Sequence, residues 1–206
     1  MQTADRLSGS GSGTAGADVN VADLDNNALI IRLHFTINHL SRWLTPVHDR
    51  SKLARSVSRG EPSVKDLLLQ MRDEELRVFP KLHLIAHRNN PDLDKLPEVT
   101  RTPAQQQWDQ QANALEIIAE FRRLRQSTCS LLRSLPDSAW SRVGTSRREH
   151  DWQLRTLAEH LADHDREVLA RIDRALDRVG AREGVSPAAR SHLDELLRLA
   201  PAGREG

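Results

Sequence analysis

Apolar residues recur along most of this chain at intervals of three and four, the spacing that lines one face of a helix. Leu29, Ile30, Leu33, Ile37, Leu40 and Leu44 predict a first helix from Asp25 or Asn26, either of which can cap it, to about Thr45, before Pro46. A shorter helical stretch is expected over 48–57, ending near Gly60. Glu61-Pro62-Ser63 then reads as a start signal, with Ser63 as N-cap and Asp66 three residues on. The helix it opens carries Leu67, Leu68, Met71, Val78, Leu82 and Ile85, and Pro80 inside it predicts a kink or a break. A third long helix is expected over 103–135, with Trp108, Leu115, Ile118, Phe121, Leu124 and Leu132 on its apolar side. The clearest stripe is Leu154, Leu157, Leu161, Val168, Ile172 and Leu176, which predicts a helix over 153–179. A short last helix follows over 187–199, with Pro187 in its first turn.

The segments between are polar and proline-bearing: 87–104 with three prolines, and 136–151. No strand of convincing length appears. The pattern gives an all-α four-helix bundle with an additional short C-terminal helix. Residues 1–20 are rich in Gly, Ser and Ala and read as a flexible tail; the bundle is expected over 21–182, and the last helix and a tail over 183–206.

Composition agrees. Aromatic residues make up 3% of the chain, too few for the strands of a sandwich or barrel. Thirty basic residues against 29 acidic ones give a net charge of +1, which offers no electrostatic reason for nucleic acid or an anionic membrane as partner. The local cluster Arg122, Arg123 and Arg125 reads as a solvated helix face. A single cysteine, Cys129, excludes an intrachain disulfide and is expected to be buried and inert. With neither a signal-peptide core nor an apolar run of membrane-spanning length, a cytoplasmic protein is expected.

The chemistry that stands out is His160 and His164, one helical turn apart on a common face beside Leu157 and Leu161. Two imidazoles so placed can converge on one metal ion. The spacing is weakly specific in a chain with nine histidines: His83 and His87 repeat it at the end of the Pro80 helix, where they read as terminus-capping residues. His34 and His39 diverge, and His48 precedes the second helical stretch with no fixed direction. Asp163 and Asp165 flank His164 and read either as groups orienting a ligand ring or as solvated residues. An internal echo adds a further hint. SVKDLLLQMRDEE at 63–75 and QLRTLAEHLADHD at 153–165 share a pattern that aligns Gln70 with His160 and Glu74 with His164, read either as two related helix pairs about a pseudo-twofold axis or as two amphipathic helix starts that merely look alike.

From Ala114 onward, ALEIIAEFRRLRQSTCSLLRSLPDSAWSRVG followed by WQLRTLAEHLADHDREVLARI resembles the C-terminal half of DinB/YfiT-like proteins. EPSVKDLLLQMRDEE, from Glu61, resembles their segment Trp-Ser/Thr-x-x-Glu-x-x-x-His-Leu. The resemblance spans about 25–180. It implies a four-helix bundle with a three-histidine site for a divalent metal, zinc or nickel. His160 and His164 match two of those ligands and Trp152 the tryptophan before the last long helix. Pro62 stands where the other tryptophan falls, and Gln70 where the first histidine falls. A glutamine amide is a weaker ligand for zinc than imidazole, and Glu74 could supply a carboxylate in its place.

Two functions follow. One is a metal-dependent enzyme, a hydrolase or an S-transferase using a low-molecular-weight thiol such as mycothiol or bacillithiol, acting on a small-molecule substrate. The other is a non-catalytic binding bundle that has lost the metal. Bundles of this kind often pair, so a homodimer is expected.

Overall fold

The computed structural model describes residues 20–193 and 195. The tail expected over 1–20, apart from Asn20, and residues 194 and 196–199 of the expected last helix lie outside the described residues; within them that helix stops at Arg190, where Ser191 leaves helical geometry. Six α-helices are present among those described: α1 (Asn26–Leu44), α2 (Val64–His87), α3 (Pro103–Gln111), α4 (Ala114–Arg133), α5 (Leu154–Arg178) and α6 (Pro187–Arg190). A two-residue strand, β1 (Val143–Gly144), pairs antiparallel with β2 (Trp152–Gln153). No helix of the described residues is long and apolar enough to cross a membrane.

Local chemistry sets most boundaries. The Asp25 carboxylate accepts from the Ala28 amide at 2.6 Å and starts α1. Ser63 and Asp66 close a reciprocal capping box at the start of α2. Three expectations need correction. The stretch expected over 48–57 is a 3-10 turn, Arg50–Ala54, held by the Asp49 carboxylate on the Ser51 amide and hydroxyl. Of the kink or break expected at Pro80, the break is absent, since α2 runs through it. The helix expected over 103–135 is two helices, because Asn113 accepts from Leu115 and Glu116 amides while Glu116 returns a bond to the Asn113 amide. That second capping box outweighs the continuity of the apolar pattern. Trp108, expected in the core, sits on α3 at 39% exposure, and α3 has no buried residue.

α1 and α2 each pack against both α4 and α5. The core falls into two apolar compartments. One gathers Ile37, Leu40, Leu68, Met71, Phe121 and Ile172, the other Leu29, Leu33, Leu82, Leu132, Leu157 and Leu161. Each fully buried leucine stabilises the fold by about 1.5–3 kcal/mol relative to exposure.

Between the compartments lies a polar layer. Arg125, fully buried, donates from Nε to Glu75 at 2.9 Å, from Nη1 to Asp165 at 2.5 Å and to the Leu33 carbonyl at 3.1 Å, and from Nη2 to Asp165 at 3.0 Å. The Thr128 hydroxyl donates to Glu75, and that of Thr36 to Asp165 at 2.7 Å. Burial alone would favour a neutral Arg125, but Asp165 and Glu75 hold it protonated. The reading of Arg122, Arg123 and Arg125 as one solvated face therefore fails at Arg125; Arg122 and Arg123 are exposed. Asp165 neither orients His164 nor faces solvent, since both its oxygens serve this layer.

The layer also explains the internal echo. Glu75 and Asp165 are the last aligned pair of the two segments. Each takes a threonine from the other half of the bundle, Thr128 of α4 for Glu75 and Thr36 of α1 for Asp165. Exchanging α1/α2 with α4/α5 exchanges the two pairs, with Arg125 bridging them.

Candidate metal centre

The hairpin before α5 fixes one wall. Gly144 of β1 lies so close to α2 and the following loop that a Cβ there would meet Ile85 at 2.8 Å and Leu93 at 2.9 Å. No side chain larger than hydrogen fits without displacing them, so glycine lets the hairpin close and sets Trp152 beside the N-terminal turns of α5. Trp152 meets the His160 ring edge-on at 5.7 Å between centroids and lies tilted against His150 at 4.0 Å.

The two histidines of α5 face α2. Glu74 Oε1 lies 2.5 Å from His160 Nε2, and Gln70 Nε2 lies 3.4 Å from His164 Nε2. The contacts cross the echo's alignment, Gln70 with His164 and Glu74 with His160, as twofold-related helices require. The His160 and His164 rings are nearly parallel, 26° apart, with centroids at 6.5 Å. All four predicted side chains thus meet at one seam. They form two contacting pairs rather than one closed shell, for the three His and carboxylate donors do not lie mutually within 4.8 Å.

Two arginines complete the seam. Arg77 donates to Glu74 at 2.5 and 3.0 Å, and its Nη2 stands 3.3 Å from His160 Nε2. A nitrogen cannot donate to Glu74 and accept from Arg77 at once. The shorter contact assigns the proton to His160 Nε2. Arg171 donates to the Gln70 oxygen at 3.0 Å, which leaves the amide nitrogen facing His164. Burial favours neutral Glu74, yet hydrogen bonds from His160 and Arg77 hold its carboxyl down to about 2. Burial lowers the pKa of His164 and keeps its ring neutral, and its buried Nδ1 has no hydrogen-bond partner among the described residues.

A cavity of about 730 Å³ runs from this seam along α2. Gln70, Glu74, Arg77 and Lys81 line it in succession, one helical turn after another, facing Leu96 and Glu149 of the loops. Arg72 and Arg101 both bind Asp109 of α3, which ties the segment after α2 back over this face. Sequence reasoning singled out Gln70 and Glu74 but missed Arg77, Lys81 and Glu149. The i+3 and i+7 spacing from Glu74 was a signal for the first two; nothing local marks Glu149.

The other predicted groups lie elsewhere. His87 Nδ1 donates to the His83 carbonyl at 2.8 Å and the rings stack at 4.3 Å, so this pair closes the end of α2. Cys129 is buried and its thiol is pushed up to about 11 by desolvation. Asp163 lies near Arg166, and His48 is exposed. A different cluster, Asp173, Asp177 and His192, does have ligand atoms mutually within 4.8 Å. Arg182 already occupies it, donating to both carboxylates, so a guanidinium supplies the cation there.

No family model matches the sequence, and no curated protein matches it. Among solved structures, YfiT from Bacillus subtilis superposes with a TM-score of 0.60 at 17% identity, covering 75% of this chain and 87% of that one. The chain shares the fold of YfiT. YfiT is described as a probable metal-dependent hydrolase with an unusual four-helix bundle topology. At this identity, the match to YfiT establishes architecture.

Proposed function

We propose that this chain is a divalent-metal-dependent hydrolase of small molecules, with His160, His164 and Glu74 drawn together by the ion as ligands and the Gln70 oxygen, once released from Arg171, as a weaker fourth donor. The observation that carries this reading is the 2.5 Å contact of His160 Nε2 with Glu74 Oε1 across the α2–α5 seam, at the end of a substrate-sized cavity. Two imidazoles and a carboxylate are a donor set suited to zinc or nickel. The description of YfiT as metal-dependent supports it. A bound ion would supply a Lewis acid and lower the pKa of a coordinated water or small thiol.

The chain's own residues do the rest. Glu74 is ionised throughout the neutral range, so it needs no deprotonation to bind a cation. At His160 a bound cation would take the place of the Nε2 proton now directed at Glu74, the ring passing to its other tautomer. Arg77 now supplies the positive charge beside Glu74 and must swing away when another cation enters. Leu69, Leu96 and Val99 give the cavity an apolar side.

Elemental analysis of protein purified from zinc- or nickel-supplemented cells tests this directly. About one ion per chain is expected, with His160→Ala and Glu74→Ala folded but metal-free. A wild-type chain without metal overturns the reading. Hydrolysis of a panel of amides and esters, with and without a low-molecular-weight thiol, separates hydrolysis from S-transfer.

Two features favour a second reading, a binding bundle without metal. The Gln70 oxygen is committed to Arg171, and Arg77 holds the cation position. In that case Gln70→His, and not the wild type, acquires metal.

A further inference from the structure

The cavity's second end is as built as its first. Lys81 Nζ, on a side chain only 11% exposed, donates to both oxygens of Glu149 at 2.7 Å. Trp152 Nε1 donates to Glu149 Oε2 at 2.7 Å, and Arg77 Nη1 approaches Oε1 at 3.9 Å. Two donors, Lys81 of α2 and Trp152 of β2, thus bond one carboxylate, with the Arg77 guanidinium close by. The donors sit on regular elements, whereas the carboxylate is carried by an exposed turn, 147–151, and is itself 41% exposed. Arg77 spans the two ends of the cavity, one terminal nitrogen toward Glu149 and the other beside Glu74 and His160.

An ammonium as buried as that of Lys81 requires an anion wherever Glu149 goes. Exchange of Glu149 for another carboxylate leaves the charge of the pocket unchanged and keeps the planar two-oxygen acceptor that these donors fit. We propose that Lys81, Trp152 and Arg77 form a carboxylate-binding subsite, occupied here by Glu149 and taken over by a carboxylate of the substrate. The substrate class is then small molecules with a carboxylate at one end and the labile bond one guanidinium's width away, at the His160–Glu74 seam. As a statement about substrates this rests on the metal-dependent reading above; the subsite itself needs no metal.

The test uses the full chain stripped of metal by chelator, with ¹⁵N-labelled indoles and butyrate as the probe. Trp152→Phe identifies the Trp152 N–H signal. Glu149 acts as a tethered competitor of high effective concentration, so Glu149→Ala is expected to tighten butyrate binding at least about tenfold, read as a saturable shift of that signal. Lys81→Met in the Glu149→Ala background abolishes the shift, and inorganic phosphate binds more weakly than butyrate. Glu149→Gln, which keeps the side-chain size and the turn, serves as the second variant and is also expected to bind more tightly than wild type. An unshifted Trp152 signal in both Glu149 variants, or one that shifts equally without Lys81, overturns the subsite. Zinc uptake measured on the same samples is independent: loss of zinc binding with butyrate binding intact sinks the metal reading alone, and the reverse sinks the subsite alone.

Discussion

Glu74 and Glu75 are neighbours on α2, and His164 and Asp165 are neighbours on α5, yet each pair splits between two different environments. Glu75 and Asp165 point inward and are saturated by Arg125, Thr36 and Thr128. Glu74 and His164 point to the seam, where their partners are long, partly exposed side chains that can leave. The inner layer is a closed ion cluster whose groups have nothing left to offer a ligand. The outer seam has the same kinds of group one residue away, with valence to spare. Which side of a helix a residue faces decides whether its polar group is locked into the fold or left open to the cavity.

The sharpest way to break this comparison is at Arg125. Arg125→Met leaves two carboxylates buried without a counter-charge and is expected to destabilise the fold by about 3–5 kcal/mol in urea unfolding. Replacing all three charges together, Glu75→Leu, Arg125→Met and Asp165→Leu, should restore most of that loss, because the desolvation cost goes with the charges. At the seam the effects move from stability to binding. His160→Ala or Glu74→Ala should weaken zinc binding at least about 100-fold by calorimetry, with unfolding shifted by less than about 1 kcal/mol. Gln70→His should tighten zinc by about tenfold, worth about 1.4 kcal/mol. Unchanged affinity would place Gln70 outside the ligand set.

The smallest effect concerns His39, 5% exposed with an unpartnered Nδ1. Burial, with Arg32 and Arg42, lowers its pKa from 6.5 to about 4. The folded state therefore binds a proton less readily than the unfolded chain. Stability is full above pH 6.5 and is lost as pH falls toward 4. From pH 6.5 to 5.5 the expected loss is about 1 kcal/mol, absent in His39→Leu and visible in thermal melts.

Much of this was legible in the chain. The stripes of α1, α2 and α5 and the Ser63–Asp66 cap follow from periodicity and local hydrogen bonding, which need no tertiary information. The His160–His164 spacing located the seam, and the echo paired it with Gln70 and Glu74. Arg125 was misread because its composition resembles that of the exposed Arg122 and Arg123. Only the carboxylates that α2 and α5 bring to it make burial tolerable, and these are 50 and 40 residues away in sequence. Glu149 was invisible for the same reason: its partners, Lys81 and Trp152, meet it only once the β1–β2 hairpin has closed.

The most direct measurement is a cobalt(II) titration of the metal-stripped chain, followed by visible absorption, for wild type and His160→Ala. Saturation near one equivalent in the wild type, with the ligand-field bands lost in His160→Ala, is the expected result. Bands that survive without His160, or a wild-type chain that never develops them, would contradict a metal centre at the α2–α5 seam.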